Sequence, residues 1–488
     1  MSGGGGGGGL LFQSQYRLQF QPIIKDDGIA IGSNNQSCPR YAFSSKRLIA
    51  THAFSGAAGG QYSAGAGELI DTSSSKTRKQ QKIAGIDQDE LLDPKLLADP
   101  DSCFCEFQGV EIHHKLYDPH SHSQDNSSLT HTQDQTVNIP SLNLGLPMIL
   151  LHGFGASVFS WNKVMSRLAH LTGSKVLAFD RPAFGLTSRL DSLGTNVTDA
   201  KPLNPYSMAF SVLATLYFID FLAAEKAILV GHSAGSLVAV DAYFEAPERV
   251  AALILVAPAI LAPRGIPKVS EGNRSERSNQ TKGDSSDSNN LGKPLFRLLE
   301  ILFKFTKYVT EAIMRMIKGM AGVIDSLYKR ALSSVLRSAF GVMLVRMIID
   351  KFGVAAVRTA WYDSKQVTEH IVDGYTKPLR ARGWDRALVE FTAAMLLNEQ
   401  SENKPPLAKR LHEISCPVLI VTGDTDRIVP AWNAEKLSRA IPHSKLEVIK
   451  NCGHLPHEEK VEEFVRVVEK FLQRALGGSE EPSLISVA

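Results

Sequence analysis

Gly231-His232-Ser233-Ala234-Gly235 sets a serine between two glycines, directly after the apolar run Ala227–Val230 and ahead of a helical pattern from Ser236. A serine hydroxyl attacks a carbonyl only when a base takes its proton, so the segment gains meaning if a histidine can reach it. Cys452-Gly453-His454 supplies a histidine, the side chain suited to that task near pH 7. Gly423-Asp424-Thr425-Asp426 supplies two carboxylates, either of which could hold the imidazole in one tautomer and stabilise its cation. The chemistry these residue types can do together is nucleophilic acyl transfer to water. Alone, the Gly-x-Ser-x-Gly pattern is weak, since about a quarter of chains with this much glycine would contain it by chance. Its context has to decide.

Such residues need elements that carry them to one place. Met148–Leu151, Val176–Phe179, Ala227–Val230, Leu253–Val256, Val418–Val421 and Leu446–Ile449 are short runs of Val, Ile and Leu, apolar without alternation. That is how strands covered on both faces of a parallel sheet read. Helical patterns, among them Met208–Leu222 and Leu237–Phe244, lie between most of them. Cys103–Phe107 and Val110–Tyr117 flank Gln108-Gly109 as a strand–turn–strand hairpin. The alternation predicts an α/β fold with a doubly wound, mostly parallel sheet. The serine, both aspartates and His454 all follow predicted strands, and strand ends along one edge of a parallel sheet are neighbours in space.

On these residues the sequence resembles the α/β-hydrolase superfamily, from about Cys103 to Leu472. The elbow at Ser233, the run His152-Gly153-Phe154-Gly155 after Met148–Leu151, and the order serine, aspartate, histidine carry the resemblance. It implies Ser233 as nucleophile, His454 as base and Asp426 as the acid, because the family pattern of glycine, two residues, then aspartate falls on Asp426. Asp424 is then expected to cap the turn. It further implies an oxyanion hole made by the backbone N–H groups of Phe154 and Ala234, where each donor removed costs roughly 3–4 kcal/mol of barrier lowering. His232 is expected to pack or make a local hydrogen bond, and His457 to start a helix. Asp180-Arg181-Pro182-Ala183-Phe184-Gly185 is expected to brace the loops framing the site. Phe154 and Trp161 are either pocket lining or core.

Composition bounds the rest. A net charge of +3 over 488 residues, without a nucleic-acid signature, argues against a nucleic-acid partner. Five cysteines, odd in number and sparse, make neither a disulfide framework nor a zinc site, and Cys103 and Cys105 are expected as buried thiols. His120, His122 and His131 lack joining carboxylates and read as loop residues. No cofactor and no metal are called for. No apolar run approaches the ~18 residues a membrane span needs. Up to Gly67 the only acids are Asp26 and Asp27, among abundant Ser, Gly and Ala. That acid-poor leader has the composition of an organellar transit peptide, plastid in type, with a plain disordered tail as its alternative. The expected location is intracellular, in the chloroplast or else the cytoplasm.

The expected organisation is a disordered leader over 1–93, a core over 94–260, a helical cap over 261–415 with a flexible insertion at 270–290, the second part of the core over 416–475, and a disordered tail over 476–488. Leu298, Leu302, Phe305, Val309 and Ile313 keep helical spacing in the cap. From Lys293 to Lys351 there are eleven basic against four acidic residues, a balance of +7, and Lys304, Lys307, Arg315 and Lys318 can share one helical face. A basic amphipathic lid suits peripheral contact with an anionic membrane, and a solvated polar face is the plainer alternative. The resemblance implies cleavage of a small hydrophobic ester or lipid through an acyl-enzyme. Carbon–carbon bond or thioester hydrolysis, and a receptor that retains the triad, stand as alternatives.

Overall fold

Met148–Leu151 (β5) and Val176–Phe179 (β6) bury every side chain, as strands sandwiched between two layers must. They lie in an eight-stranded sheet with Ser102–Phe107 (β3), Val110–Tyr117 (β4), Ala227–His232 (β7), Val250–Val256 (β8), Val418–Gly423 (β9) and Lys445–Ile449 (β10). The strand order is β10-β9-β8-β7-β5-β6-β4-β3. Strands β5 to β10 run parallel, while β3 and β4 join antiparallel at one edge. The β3–β4 hairpin turns at Gln108 and Gly109, both at positive φ (50° and 79°), the two-residue geometry that matches strand twist. The chain belongs to the α/β class, and each of the six predicted strands is present, most of them longer by one to three residues.

The computed structural model describes residues 82–120, 142–189, 203–262, 307, 311, 324–397 and 405–477, all within the unit Thr72–Ala488. The leader up to Gly67, the insertion at 270–290 and the helical spacing from Leu298 to Ile313 lie outside these residues. So do His122, His131, Lys304, Arg315 and Lys318.

Helices cover both faces. On one, Met208–Phe221 (α2) and Ala234–Glu245 (α3) pack on Ile149, Leu229, Leu253 and Ile420. On the other, Met165–Thr172 (α1) and Val461–Ala475 pack on Leu150, Val230, Ile254 and Val421. The last helix shows the amphipathic rule well, burying Val461, Phe464, Val465, Val468, Phe471 and Leu472 at three-to-four spacing. Strand β5 sits between β6 and β7, so the chain leaves it in opposite directions across the sheet. A crevice forms outside the carboxyl ends of strands at such a switch point.

Between β8 and β9 the described residues are mainly helical. Residues 324–336 form one helix; Ala339–Ala360 (α4), Glu369–Thr376 (α5) and Trp384–Leu397 (α6) follow, with Ser338 and Thr368 as N-caps of α4 and α5.

Two expectations need correction. Order begins before Pro94: Lys82–Ile83 and Ile86–Asp87 (β1, β2) make a hairpin whose Ala84 N–H donates to Asp350 Oδ1. Trp384 Nε1 donates to Gln88 Oε1 at 3.0 Å, and Leu92 exchanges backbone bonds with Arg380 and Arg382. Strands of two residues carry no readable period, and this segment is ordered by the cap rather than by its own pattern. Cys103 is disulfide-bonded, not a thiol, whereas Cys105, Cys416 and Cys452 are free.

Candidate active site

The elbow after β7 is built by exclusion. A Cβ on Gly231 would come within 2.6 Å of Gly235 O and of Ser236 Cα. One on Gly235 would collide with Leu151 O and stand 2.8 Å from His152 O. Only glycines let β5, β7 and α3 approach this closely. Ser233 itself is forced to φ 49°, ψ −116°, a strained conformation for a residue with a Cβ. Its N–H donates to Val256 O (2.8 Å), and its carbonyl accepts from Ala259 N, which pins the turn to the end of β8.

His454 follows β10 and Asp426 follows β9. His454 Nδ1 and Asp426 Oδ2 are 2.7 Å apart, both residues buried. Asp426 Oδ1 accepts the N–H groups of Ile428 (2.8 Å) and Val429 (2.9 Å), so the carboxylate is fixed from both sides. A proton held on Nδ1 leaves Nε2 as the accepting nitrogen. Asp424 instead accepts from Thr425 Oγ1 and Cys452 N–H, at the turn. His232 makes its local bond, donating from Nε2 to His454 O at 3.0 Å, with its ring 4.8 Å from the His454 ring. Ser233 Oγ and His454 are not hydrogen-bonded to each other in this structure; such bonds commonly tighten only around substrate.

Gly153 passes against the elbow: a Cβ there would lie 3.1 Å from the Ser233 Cβ and 2.9 Å from His232 Nδ1. The Phe154 N–H follows Gly153 in this loop, and the Ala234 N–H is the first of α3, directly after Ser233. Neither donates to any described residue. The positive end of a twelve-residue helix thus lies directly after the serine, a setting that favours negative charge. A surface cavity of about 530 Å³ lies at the opposite, amino ends of β5 to β7, lined by Pro147, Lys175 and Lys226, away from these groups.

The comparison with family models bears on this arrangement. The model described as the alpha/beta hydrolase family matches residues 148–467, more than half of the chain. The chain belongs to the α/β-hydrolase family. Among curated relatives, a 2-hydroxy-6-oxo-6-phenylhexa-2,4-dienoate hydrolase of Comamonas testosteroni is 24% identical over 338 residues, spanning 68% of this chain and 88% of the relative. An uncharacterized hydrolase of Bacillus subtilis is 22% identical over 330 residues, 67% of this chain and 89% of the relative. Among solved structures, a 2-hydroxy-6-oxo-6-phenylhexa-2,4-dienoate hydrolase from Rhodococcus has a TM-score of 0.46 at 17% identity, covering 76% of this chain and 99% of that one.

In this α/β-hydrolase the loops around the elbow are tied by two buried groups. Asp180 Oδ1 accepts Val158 N–H (2.7 Å), while Oδ2 accepts Leu186 N–H (2.7 Å) and meets His113 Nδ1 at 2.6 Å. Burial alone would raise this carboxyl, but His113 and the N–H bonds hold it at about 2. His152 donates from Nδ1 to Gly153 O and accepts Arg181 N–H at Nε2; burial depresses it to about 4, so it stays neutral. The bracing role expected for the Asp180 segment therefore has named partners. Trp161 is fully buried core, its ring tilted against that of His457 at 4.3 Å between centres; burial depresses His457 to about 3. Phe154 is exposed and edges Phe184 (5.4 Å) and the cap residue Phe391 (6.0 Å).

Three features had no clear signal in the sequence. Arg181 is 1% exposed, its Nε and one terminal nitrogen lack any partner among the described residues, and burial lowers its pKa to about 10. Its guanidinium lies 5.4 Å from the Phe184 ring centre and 5.9 Å from that of Phe391. Next, the cap reaches the histidine loop directly. His454 N–H donates to Ala360 O at 2.7 Å, and Glu459 accepts from Gly453 N, Leu455 N and Tyr362 N. Last, Glu458 is buried beneath that loop, accepts the Tyr375 hydroxyl, and is pushed by burial to about 8. Among the described residues no cluster of three or more His, Cys, Asp or Glu could hold a metal.

Glu458 makes a pH prediction. A carboxyl at its usual 4.5 when unfolded and about 8 when folded favours the fold below pH 4.5 and loses that advantage up to pH 8. The loss can reach ~1.4 kcal/mol per pH unit. Glu458→Gln keeps an acceptor for Tyr375 and removes the titration. Urea unfolding at pH 5 and pH 8 should show the wild type losing more stability than the variant. Equal losses in both would show that Glu458 does not titrate in this window.

Proposed function

We propose that this α/β-hydrolase is a serine hydrolase working through an acyl-enzyme. The Asp426–His454 bond at 2.7 Å, beside a serine held at φ 49° in a glycine-flanked elbow, carries the reading. Ser233 Oγ attacks the substrate carbonyl as His454 Nε2 takes its proton, and the N–H groups of Phe154 and Ala234 hold the oxyanion. His454 returns the proton to the leaving group, and water, deprotonated by His454, then releases the acid and frees Ser233. The test is a fluorophosphonate probe with mass spectrometry. A single adduct on Ser233 is expected; adduct elsewhere, or none, would sink the reading. Labelling without turnover of any substrate would favour a receptor.

For the bond cleaved, a hydrophobic ester suits the aromatic cluster that Phe154, Phe184 and Phe391 form beside the Gly153 loop. A second reading, cleavage of a carbon–carbon bond beside a ketone in an acidic substrate, is favoured by Arg181. A buried guanidinium with two unpartnered nitrogens is costly unless an anion meets it, and a substrate carboxylate would do so. The relatives named for dienoate hydrolysis act on such acids. On this reading Arg181→Leu should lower kcat/KM for 2-hydroxy-6-oxo-6-phenylhexa-2,4-dienoate by about 100-fold or more and leave neutral nitrophenyl esters within a few-fold. An equal loss on both, or on neither, would remove the carboxylate role.

A further inference from the structure

Every long helix of the hydrolase core buries its apolar stripe, and the helix over 324–336 buries none of its residues. Ile324, Leu327, Tyr328 and Val335 fall at helical i, i+3, i+4 and i+11 positions on one line, each between 53 and 64% exposed. The next helix, α4, repeats the feature with Phe340, Met343 and Met347, at i, i+3 and i+7 and 45 to 58% exposed. Two successive amphipathic helices with their apolar sides outward are not what a water-facing cap needs. Around them the charge is basic. Arg330, Lys351 and Arg358 are exposed and carry no ion pair among the described residues, while the acids nearby are engaged: Asp325 with Lys329, and Asp350 with the Ala84 N–H.

We propose that the cap helices over 324–336 and Ala339–Ala360 form a docking surface for an anionic lipid bilayer, lying in the interface with their apolar stripes among the acyl chains and their basic residues at the headgroups. The occupant is argued from charge. Residues 324–360 carry six basic against two acidic residues, a balance of 6 − 2 = +4, which repels a second copy of this face and attracts an acidic lipid surface. No helix among the described residues is long and apolar enough to cross a membrane, so the contact is one of lying on the surface. Its end reaches the site: α4 terminates at Ala360, whose carbonyl accepts the His454 N–H. A cap seated on lipid thus presents the site next to a source of apolar substrate. The surface stands independently of which bond is cleaved.

The test uses the full chain and flotation with phosphatidylcholine vesicles, with and without about a third phosphatidylserine. Expected are flotation with the anionic vesicles alone, weakening as salt rises, and a loss of about tenfold or more in affinity for Leu327→Asp combined with Tyr328→Asp. Both positions are exposed, so fluorophosphonate labelling of Ser233 should not change, which separates lost binding from lost folding. Equal flotation of wild type and the double variant, or none at low salt, would overturn the proposal. So would a dimer that forms with rising concentration, does not float, and is broken by the same substitutions, because the stripe would then be a self-association surface.

Discussion

Ser233→Ala should abolish fluorophosphonate labelling and lower kcat/KM by roughly 10⁴-fold or more, while the melting temperature stays within a few degrees of wild type. The two halves of this result have different causes. On the proposed route, removing Oγ deletes the atom that would form the acyl-enzyme, and water in its place would have to react without a covalent intermediate. The fold keeps its elbow, because the pins at Val256 O and Ala259 N–H are backbone bonds and Gly231 and Gly235 are untouched. Asp426→Asn should cost a comparable ~10⁴-fold for another reason. An amide at this position offers an N–H where the carboxylate accepts the His454 proton, so the ring turns to the tautomer whose Nε2 cannot take a proton from serine. Stability should change little by comparison, since the amide oxygen at the Oδ1 position can go on accepting the Ile428 and Val429 N–H groups. Turnover retained in Ser233→Ala would exclude the acyl-enzyme route. Turnover retained in Asp426→Asn would mean that His454 is oriented by something else.

Much of this site could be read from the sequence because it depends on local rules. Strands β5 to β8 declare themselves through unbroken apolar runs, since burial on both faces leaves no polar position to alternate. The elbow is legible because its glycines answer a steric demand made by adjacent elements, and His454 because it follows a strand directly. The choice between Asp424 and Asp426 needed the family pattern; geometry then separates them, one bonded to His454 and the other to its own turn. The illegible features all cross long sequence distances. Tyr375 meets Glu458 over 83 residues, Trp384 meets Gln88 over 296, and Arg181 lies beside Phe391 of the cap. None of these pairings has a period or a motif, because each is decided by how the cap settles on the core. The same reason explains why the sequence says more about the candidate nucleophile than about the molecule it would attack.

Gly235→Ala should be among the most damaging single changes in the chain, although it adds only one methyl group. The new Cβ would collide with Leu151 O and stand 2.7 Å from Leu151 C and 2.8 Å from His152 O. These are backbone atoms at the end of β5, so no rotamer change relieves the clash, and α3 must move away from the strand. Overpacking of this kind costs about 3 kcal/mol or more when the neighbours cannot give way. The displacement also acts on function. Leu151 and His152 lead into Gly153 and Phe154, so separating α3 from β5 would pull apart the two N–H groups proposed to hold the oxyanion. A shift of about 1 Å in such a site can cost on the order of 100-fold in rate. Gly353→Ala in α4 provides the control, because its Cβ would meet only Ile349 Cγ2, at an ordinary 3.5 Å. An alanine there should stabilise the helix by about 0.5–1 kcal/mol and leave labelling of Ser233 unchanged. Thermal melts and probe labelling of the two variants decide the matter. If Gly235→Ala melts like the wild type and labels normally, the close approach of α3 to β5 is not what holds the nucleophile in place.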